Sequence, residues 1–213
     1  MQPTLDDLTK RVANLLAGAP ANARLTNGIT GTPGAGKTTL AEHLVARLGA
    51  ELAAHQVAHV PMDGYHLADV ALERLGLLDR KGAPATFDAY GYLALLRRLR
   101  ENRDPVIYAP GFDREIEQPI AGSIAVPREV RVIITEGNYL LLDGPWAGAR
   151  DLLDEVWYCR PAEEVRLERL LARHVQFGKT PEAAAAWIAR TDAPNADVIA
   201  TTAERADLEI LVD

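Results

Sequence analysis

The chain predicts an α/β fold of three layers, with helices on both faces of a parallel β-sheet. Two observations lead there. Apolar runs of strand length alternate with amphipathic segments of helix length along nearly all of the 213 residues, and that alternation builds βαβ units whose strands pair in parallel. The composition, 48% hydrophobic and 25% charged, suits a single compact domain, here spanning 1–213, with enough core to stand without disulfide or metal staples.

Each element has a local signal. Leu5, Leu8, Val12, Leu15 and Leu16 recur at helical spacing behind Thr4, and Asp7 completes a capping box, so a leading helix is expected over 4–17. Strands are expected at 25–30, 57–62, 106–109, 130–135, 156–159 and 208–212. A helical pattern over 39–54 separates the first two. Pro and Gly cluster at 82–84 and again from Pro105 to Pro127. The second stretch is too long for an ordinary connection and predicts a substrate-facing insertion over about 105–127, with a short hairpin.

Charge and cysteine content exclude several classes. The formal net charge is −7 with Lys and Arg scattered, unlike the basic stripe that a nucleic-acid backbone selects, so no nucleic-acid partner is expected. The single cysteine, Cys159, lies in an apolar run and reads as a buried thiol of a reducing compartment. The start, Met1 to Asp7, has no basic n-region, and no apolar stretch approaches the roughly 20 residues needed to span a bilayer. The expectation is a cytoplasmic protein without a membrane partner, and a homodimer is the default assembly.

Between the first strand and the following helix, Gly31, Thr32, Pro33, Gly34, Ala35, Gly36, Lys37 and Thr38 spell G-x-x-x-x-G-K-T, with Thr39 opening the helical pattern. This is a P-loop in its required strand–loop–helix setting. Its glycines turn consecutive N–H groups inward around phosphate oxygens, Lys37 reaches the outer phosphates, and the Thr38 hydroxyl suits Mg²⁺. Open α/β sheets bind ligands at the carboxyl ends of their strands, so the polar residues that close the other apolar runs matter. Glu136 closes the run 130–135, the arrangement that positions Mg²⁺ and its waters, although an exposed strand-end glutamate reads the same in isolation. Asp63 closes the run 57–62. A carboxylate there can take the proton of an attacking hydroxyl, while Asp-Gly is also a strong turn dipeptide.

The combination of residues 31–38, Met62-Asp63-Gly64-Tyr65-His66-Leu67 and Glu136-Gly137-Asn138-Tyr139 resembles the family of phosphoribulokinase, uridine kinase and bacterial pantothenate kinase, over about residue 27 to the C-terminus. The text is most similar to a bacterial group within it that is labelled nucleoside/nucleotide kinase or putative fructose-transport kinase. The resemblance implies a P-loop kinase with a five-stranded parallel core of order 2-3-1-4-5, an extra C-terminal strand and a helical lid over about 163–180. It implies ATP and Mg²⁺, held by Thr38 and Glu136, and it puts the proposed base on Asp63. The stretch 77–88 is similar to the pantothenate kinase pattern, which makes Asp88 a substrate-side carboxylate. The acceptor loop 108–114, with Asp113 and Arg114, joins Tyr65, His66 and Asn138 as expected substrate contacts.

The lid resemblance falls on 166–174. Arg166, Arg169 and Arg173 recur at spacings of three and four, so one helix face can present them to a polyphosphate, with Arg169 and Arg173 as the catalytic candidates. Pairing with Glu163, Glu164 and Glu168 on a solvated face is the competing account. Residues 187–196 resemble a late element near the nucleotide base, so Asn195 is either a nucleotide contact or a helix cap. His66 has no second histidine at ligand spacing and is a poor metal ligand.

The expected reaction moves the γ-phosphoryl of ATP to a hydroxyl of a small-molecule acceptor: a nucleoside, sugar, sugar phosphate or pantothenate. A regulatory GTPase would need an Asn-Lys-x-Asp tetrad, which is absent from the sequence. A nucleotide-binding regulator without turnover is the alternative.

Overall fold

The computed structural model describes residues 2–212; Met1 and Asp213, the ends of the expected domain span, lie outside the described residues. A central sheet holds strands β1 (Leu25–Gly31), β2 (Val57–His59), β5 (Val132–Glu136), β6 (Glu155–Arg160) and β7 (Leu208–Leu211), in the order β2-β5-β1-β6-β7 and parallel throughout. In chain order of its members this is 2-3-1-4-5. The C-terminal strand is thus the fifth member of the core and not an addition to it.

The expected strand at 106–109 lies elsewhere. β3 (Val106–Asp113) pairs antiparallel with β4 (Gln118–Pro127) in a separate hairpin. Pro110 cannot donate to a ladder on both sides, and the register shifts between Ala109 and Gly111, which suits an edge ribbon and not a central strand. Gly64, in the turn after β2, lets this hairpin approach: a Cβ there would sit 2.2 Å from the Pro110 carbonyl oxygen.

The strands alternate their side chains between two cores, as a period of two requires. On one face Ile29, Ile134, Trp157 and Cys159 pack against Leu8 and Val12 of α1 (Leu5–Gly18) and Leu44 and Leu48 of α2 (Lys37–Leu52). On the other, Ile133, Val156 and Tyr158 pack with Tyr92, Leu96 and Leu99 of α4 (Ala89–Glu101) and Ile199 of α7 (Ala193–Ala200). Sheet and flanking helices therefore form three layers. All of β1 and β5 is buried, the signature of a parallel sheet covered on both faces.

Polar ties fix the helices. Thr4 and Asp7 form the capping box of α1, and Arg11 of that helix grips Glu155 with two hydrogen bonds of 2.7 Å. Arg24, just before β1, is 4% exposed and has no carboxylate partner among the described residues. It donates instead to the carbonyls of Val130, Leu99 and Pro127 at 2.9–3.0 Å, tying the β1 end of the sheet to α4 and to the hairpin. Arg24→Ala should remove this donor from the buried Val130 and Leu99 carbonyls and one of two donors from the Pro127 carbonyl, at a cost of about 3 kcal/mol. Urea unfolding should show a lower midpoint at an unchanged slope.

Candidate active site

β1 ends where the P-loop begins. Gly34 and Gly36 have φ of +83° and +81°, left-handed backbone that other residues resist, and Gly36 leads directly into α2. Gly31 serves packing, since a Cβ there would lie 2.6 Å from the Cys159 carbonyl oxygen on β6. Cys159 itself is buried, and burial pushes its thiol up to about 12. The Lys37 ammonium curls back to donate to the Thr32 carbonyl at 3.0 Å. Burial lowers its pKa, with Glu136 the strongest opposing influence.

The register of the sheet carries the acidic residues to this loop. Glu136 lies beside Ile29 across the β1–β5 pair, and the Thr38 hydroxyl donates to Glu136 Oε1 at 3.0 Å. Asp63 sits in a 3-10 turn, Met62–Tyr65, right after β2. Arg114, at the tip of the hairpin, donates to Asp63 Oδ2 at 2.8 Å. The two carboxyls diverge in pKa. Burial works against the Asp63 charge, but the neighbouring His66 and Arg114, with Lys37 and Arg173, outweigh it and hold the carboxyl below its ordinary value. Burial, reinforced by Asp63, pushes Glu136 up to about 7.

Two cavities open on these groups. One of about 780 Å³ is lined by Gly34, Ala35, Gly36, Thr39 and Arg169. One of about 310 Å³ is lined by Asp63, His66, Asn138 and Glu136. Lys37, Thr38, Arg114, Arg173 and Phe177 line both. One side of the arrangement can therefore cradle a polyphosphate, the other can hold a hydroxyl near a carboxylate, and cations stand where they meet.

Helix α5 (Glu163–Gln176) lies over the P-loop. A Cβ on Gly34 would meet the Arg166 carbonyl oxygen and Leu170 Cγ, each at 2.8 Å. Of the three expected lid arginines, Arg166 is buried and occupied, donating to both Glu163 carboxylate oxygens at 2.6–2.7 Å and to the Pro33 carbonyl at 3.3 Å. Arg169 keeps a buried Nη1 without a hydrogen-bond partner among the described residues, and it faces the P-loop cavity. An unpaired guanidinium nitrogen held there suits a phosphate oxygen.

Several expected contacts are placed otherwise. Tyr65, Asp88 and Asp113 line neither cavity. Tyr65 packs edge-on to Tyr92 at 5.5 Å. Asp88 caps α4 through the Gly91 amide at 2.8 Å, and Asp113 caps the hairpin turn through the amides of Glu115 and Ile116. All three fill local roles that Asp and Tyr perform without a ligand. Asn195 neither caps a helix nor reaches the P-loop cavity. It lies within α7, lines the smaller cavity and donates to the Gly82 carbonyl at 3.3 Å.

The cavity also contains groups that sequence reasoning did not single out as contacts. Lys81 donates to Asp69 at 2.5 Å and to the Glu117 carbonyl, drawing the hairpin to the segment after α3 (Asp69–Leu75). The His66 ring lies 3.9 Å from Phe87 and 4.6 Å from Phe112, centroid to centroid. Lys81 had a signal in its Lys-Gly step within 77–88; Phe112 had none beyond lying in the acceptor loop.

The donor set at Thr38 and Glu136 fits Mg²⁺. Among the described residues there is no cluster of three His, Cys, Asp or Glu able to hold a metal. Mg²⁺ does not need one, since it keeps several waters and is commonly held by one carboxylate together with phosphates.

A P-loop on a 2-3-1-4-5 parallel sheet, with strand-end carboxylates and an arginine-bearing helix above it, defines a P-loop kinase. The chain belongs to the Phosphoribulokinase / Uridine kinase family, whose model matches residues 27–212, and it is thereby one of the ATP-dependent P-loop kinases. It is 41% identical over 148 residues to the "ATP-dependent kinase-like protein notR'" of Aspergillus versicolor, covering 65% of this chain and 86% of that one. A "Putative uridine kinase" of Schizosaccharomyces pombe is 34% identical over 178 residues, 81% of this chain and 74% of the relative. The crystal structure of a "putative fructose transport system kinase" from Silicibacter sp. TM1040 superposes with a TM-score of 0.87 at 36% identity, covering 97% of this chain and 98% of the other. Among the described residues no helix is long and apolar enough to cross a membrane.

Two predictions follow from the geometry. Arg169→Ala should weaken ATP binding about tenfold, or about 1.4 kcal/mol, and leave the melting temperature nearly unchanged, because no hydrogen bond among the described residues is lost; Arg166→Ala should lower the melting temperature clearly. Calorimetry and thermal denaturation of both variants separate the two roles. Glu136 gives a pH signature. Its carboxyl is raised from 4.5 to about 7 in the fold, so the folded protein binds the proton more tightly and stability falls as pH rises through that window. In metal-free buffer Glu136→Gln should match the wild type near pH 5 and melt higher at pH 8.

Proposed function

We propose that the protein transfers the γ-phosphoryl group of ATP to a hydroxyl of a small metabolite. The observation that carries this reading is the junction of the two cavities, with the P-loop on one side, Asp63 on the other, and Lys37, Thr38, Arg114 and Arg173 common to both. ATP occupies the larger cavity, with its polyphosphate on the N–H groups of the P-loop and the start of α2. The acceptor occupies the smaller.

Phosphoryl transfer calls mainly for positioning and for charge that offsets the γ-phosphate oxygens as they separate from the leaving group. Lys37 supplies that charge by leaving the Thr32 carbonyl for a phosphate oxygen, with Arg169 and Arg173 beside it. Asp63 accepts the proton of the attacking hydroxyl. It is poised to do so because its cationic neighbours keep it ionised, and Arg114 fixes one of its oxygens. Thr38 and Glu136 would hold Mg²⁺, which would supply positive charge to offset that of the phosphates.

The acceptor is a nucleoside, sugar, sugar phosphate or pantothenate-like metabolite. The names of the relatives point to uridine in one case and fructose transport in another, so they do not single out one acceptor. The test is ADP release from Mg-ATP across a panel of these compounds. Acceptor-dependent release is expected from the wild type. Asp63→Asn should lower turnover by about 10²–10⁴-fold, the usual worth of a positioned base, with ATP affinity within twofold. Turnover unchanged in that variant would remove Asp63 from the mechanism, and ATP binding without release on any acceptor would overturn the kinase reading.

A further inference from the structure

Helix α5 forms a wall of both cavities, and its residues divide between them. Arg169 lines only the P-loop cavity, Arg173 lines both, and His174 lines only the smaller one. His174 is one position on from Arg173, about 100° further round the helix. This turns the ring away from the phosphate side and into the space that also holds Asp63.

The ring is held there by a specific partner. His174 Nε2 bonds Asp192 Oδ2 at 2.7 Å, and the two side chains are only 12% and 10% exposed. Asp192 ends a π-helical turn, Ile188–Asp192, between α6 (Pro181–Trp187) and α7. Pro194 follows two residues later, where a regular α-helix would set its ring against the carbonyl four residues back. The wider π turn accommodates the proline, and such turns recur at functional sites. The carboxylate accepts from Nε2–H, so Nδ1 is the ring nitrogen left for a ligand. Among the described residues the bond to Asp192 is the one side-chain hydrogen bond of the ring, and the residue lines the smaller cavity. Neutral amides, Asn138 and Asn195, line the same space.

Resting on the kinase reading, we infer that His174 is an acceptor-binding residue: its Nδ1 takes the hydrogen of a second, non-reacting hydroxyl of a polyhydroxylated acceptor, and Asp192 orients the ring for that contact. A substrate with a lone hydroxyl would satisfy Asp63 but leave His174 unpaired in a confined site. That penalty selects for polyols over simple alcohols.

The test is a chemical double-mutant cycle on the full chain. D-fructose, D-ribose, uridine and pantothenate serve as acceptors, and the most active is then compared with analogues that each lack one hydroxyl. His174→Gln is the variant of choice, because its amide nitrogen reaches the former position of Nε2 and keeps the bond to Asp192 while removing the Nδ1 acceptor. In the wild type, deleting one particular non-reacting hydroxyl should lower kcat/KM tenfold or more. In His174→Gln the same deletion should cost less than twofold, and the KM for ATP should stay within twofold of the wild type. Asp192→Asn should shrink the same penalty partially, by loosening the ring.

If every hydroxyl deletion costs the same in wild type and His174→Gln, the assignment is overturned. It is equally overturned if the coupling appears only on removing a charged group of the acceptor. Absence of ADP release from the wild type with these four acceptors and with the monophosphates of ribose and fructose would instead overturn the kinase reading, and this inference with it.

Discussion

The site depends on the seating of α5 on the backbone of the P-loop. A loop with two left-handed glycines is intrinsically loose, and it is held from both sides. Below, Gly31 lies close against β6; above, Gly34 lies against the Arg166 carbonyl and Leu170. Arg166 completes the attachment by donating to the Pro33 carbonyl while Glu163 occupies its other nitrogens. Backbone amides that meet a polyphosphate stabilise it most when no reorganisation remains at the moment of reaction. Here much of the ordering is done by folding. The arginine whose spacing makes it look like a phosphate ligand is the one that anchors the helix, and this frees Arg169 and Arg173 to face the cavities.

The chain places its charges by two rules. Where a charge is structural, it is fully bonded, as Arg24 is by three carbonyls and Glu155 by Arg11 and the Trp157 indole. Around the junction, bonding is partial. Among the described residues Lys37 rests on a single carbonyl, Glu136 on a single hydroxyl, and Arg169 leaves a nitrogen unpaired. Incomplete satisfaction of buried polar groups costs stability; elsewhere among the described residues it falls on Thr26, Asn27, His59 and Asn102, whereas at the junction it falls on the charged groups that would meet a phosphate.

Much of this was legible in the residues. The P-loop is a local motif whose strand and helix flanks are local too, and Glu136 and Asp63 end apolar runs that chain physics sends to the same edge of the sheet. The order of the core strands was also readable, but their membership was not. The run at 106–109 is as apolar as a core strand, and only its antiparallel partner beyond a short turn, together with Pro110, takes it out. Asp88 and Asp113 illustrate a second limit. A carboxylate that bonds amides two or three residues on looks, in one dimension, like one waiting for a substrate. The Asp192–His174 contact spans 18 positions and hinges on a π turn, which no short-range periodicity announces. The alternation of strands and helices reports burial and backbone preference; it does not report which side chains meet across a cavity.

One helix supplies walls to two compartments, and that arrangement has a thermodynamic consequence. A displacement of α5 alters the fit of whatever lies in each. The free energies of occupation are therefore linked, and the linkage is reciprocal: whichever ligand arrives first changes the affinity for the second by the same factor that the second would have changed it for the first. Ligands that draw the helix inward together would favour the ternary complex over either binary one, so the closed, transfer-competent arrangement would form mainly when the acceptor is present. A rigid body shared by two chambers thus links selectivity to the suppression of futile hydrolysis, without a dedicated hinge.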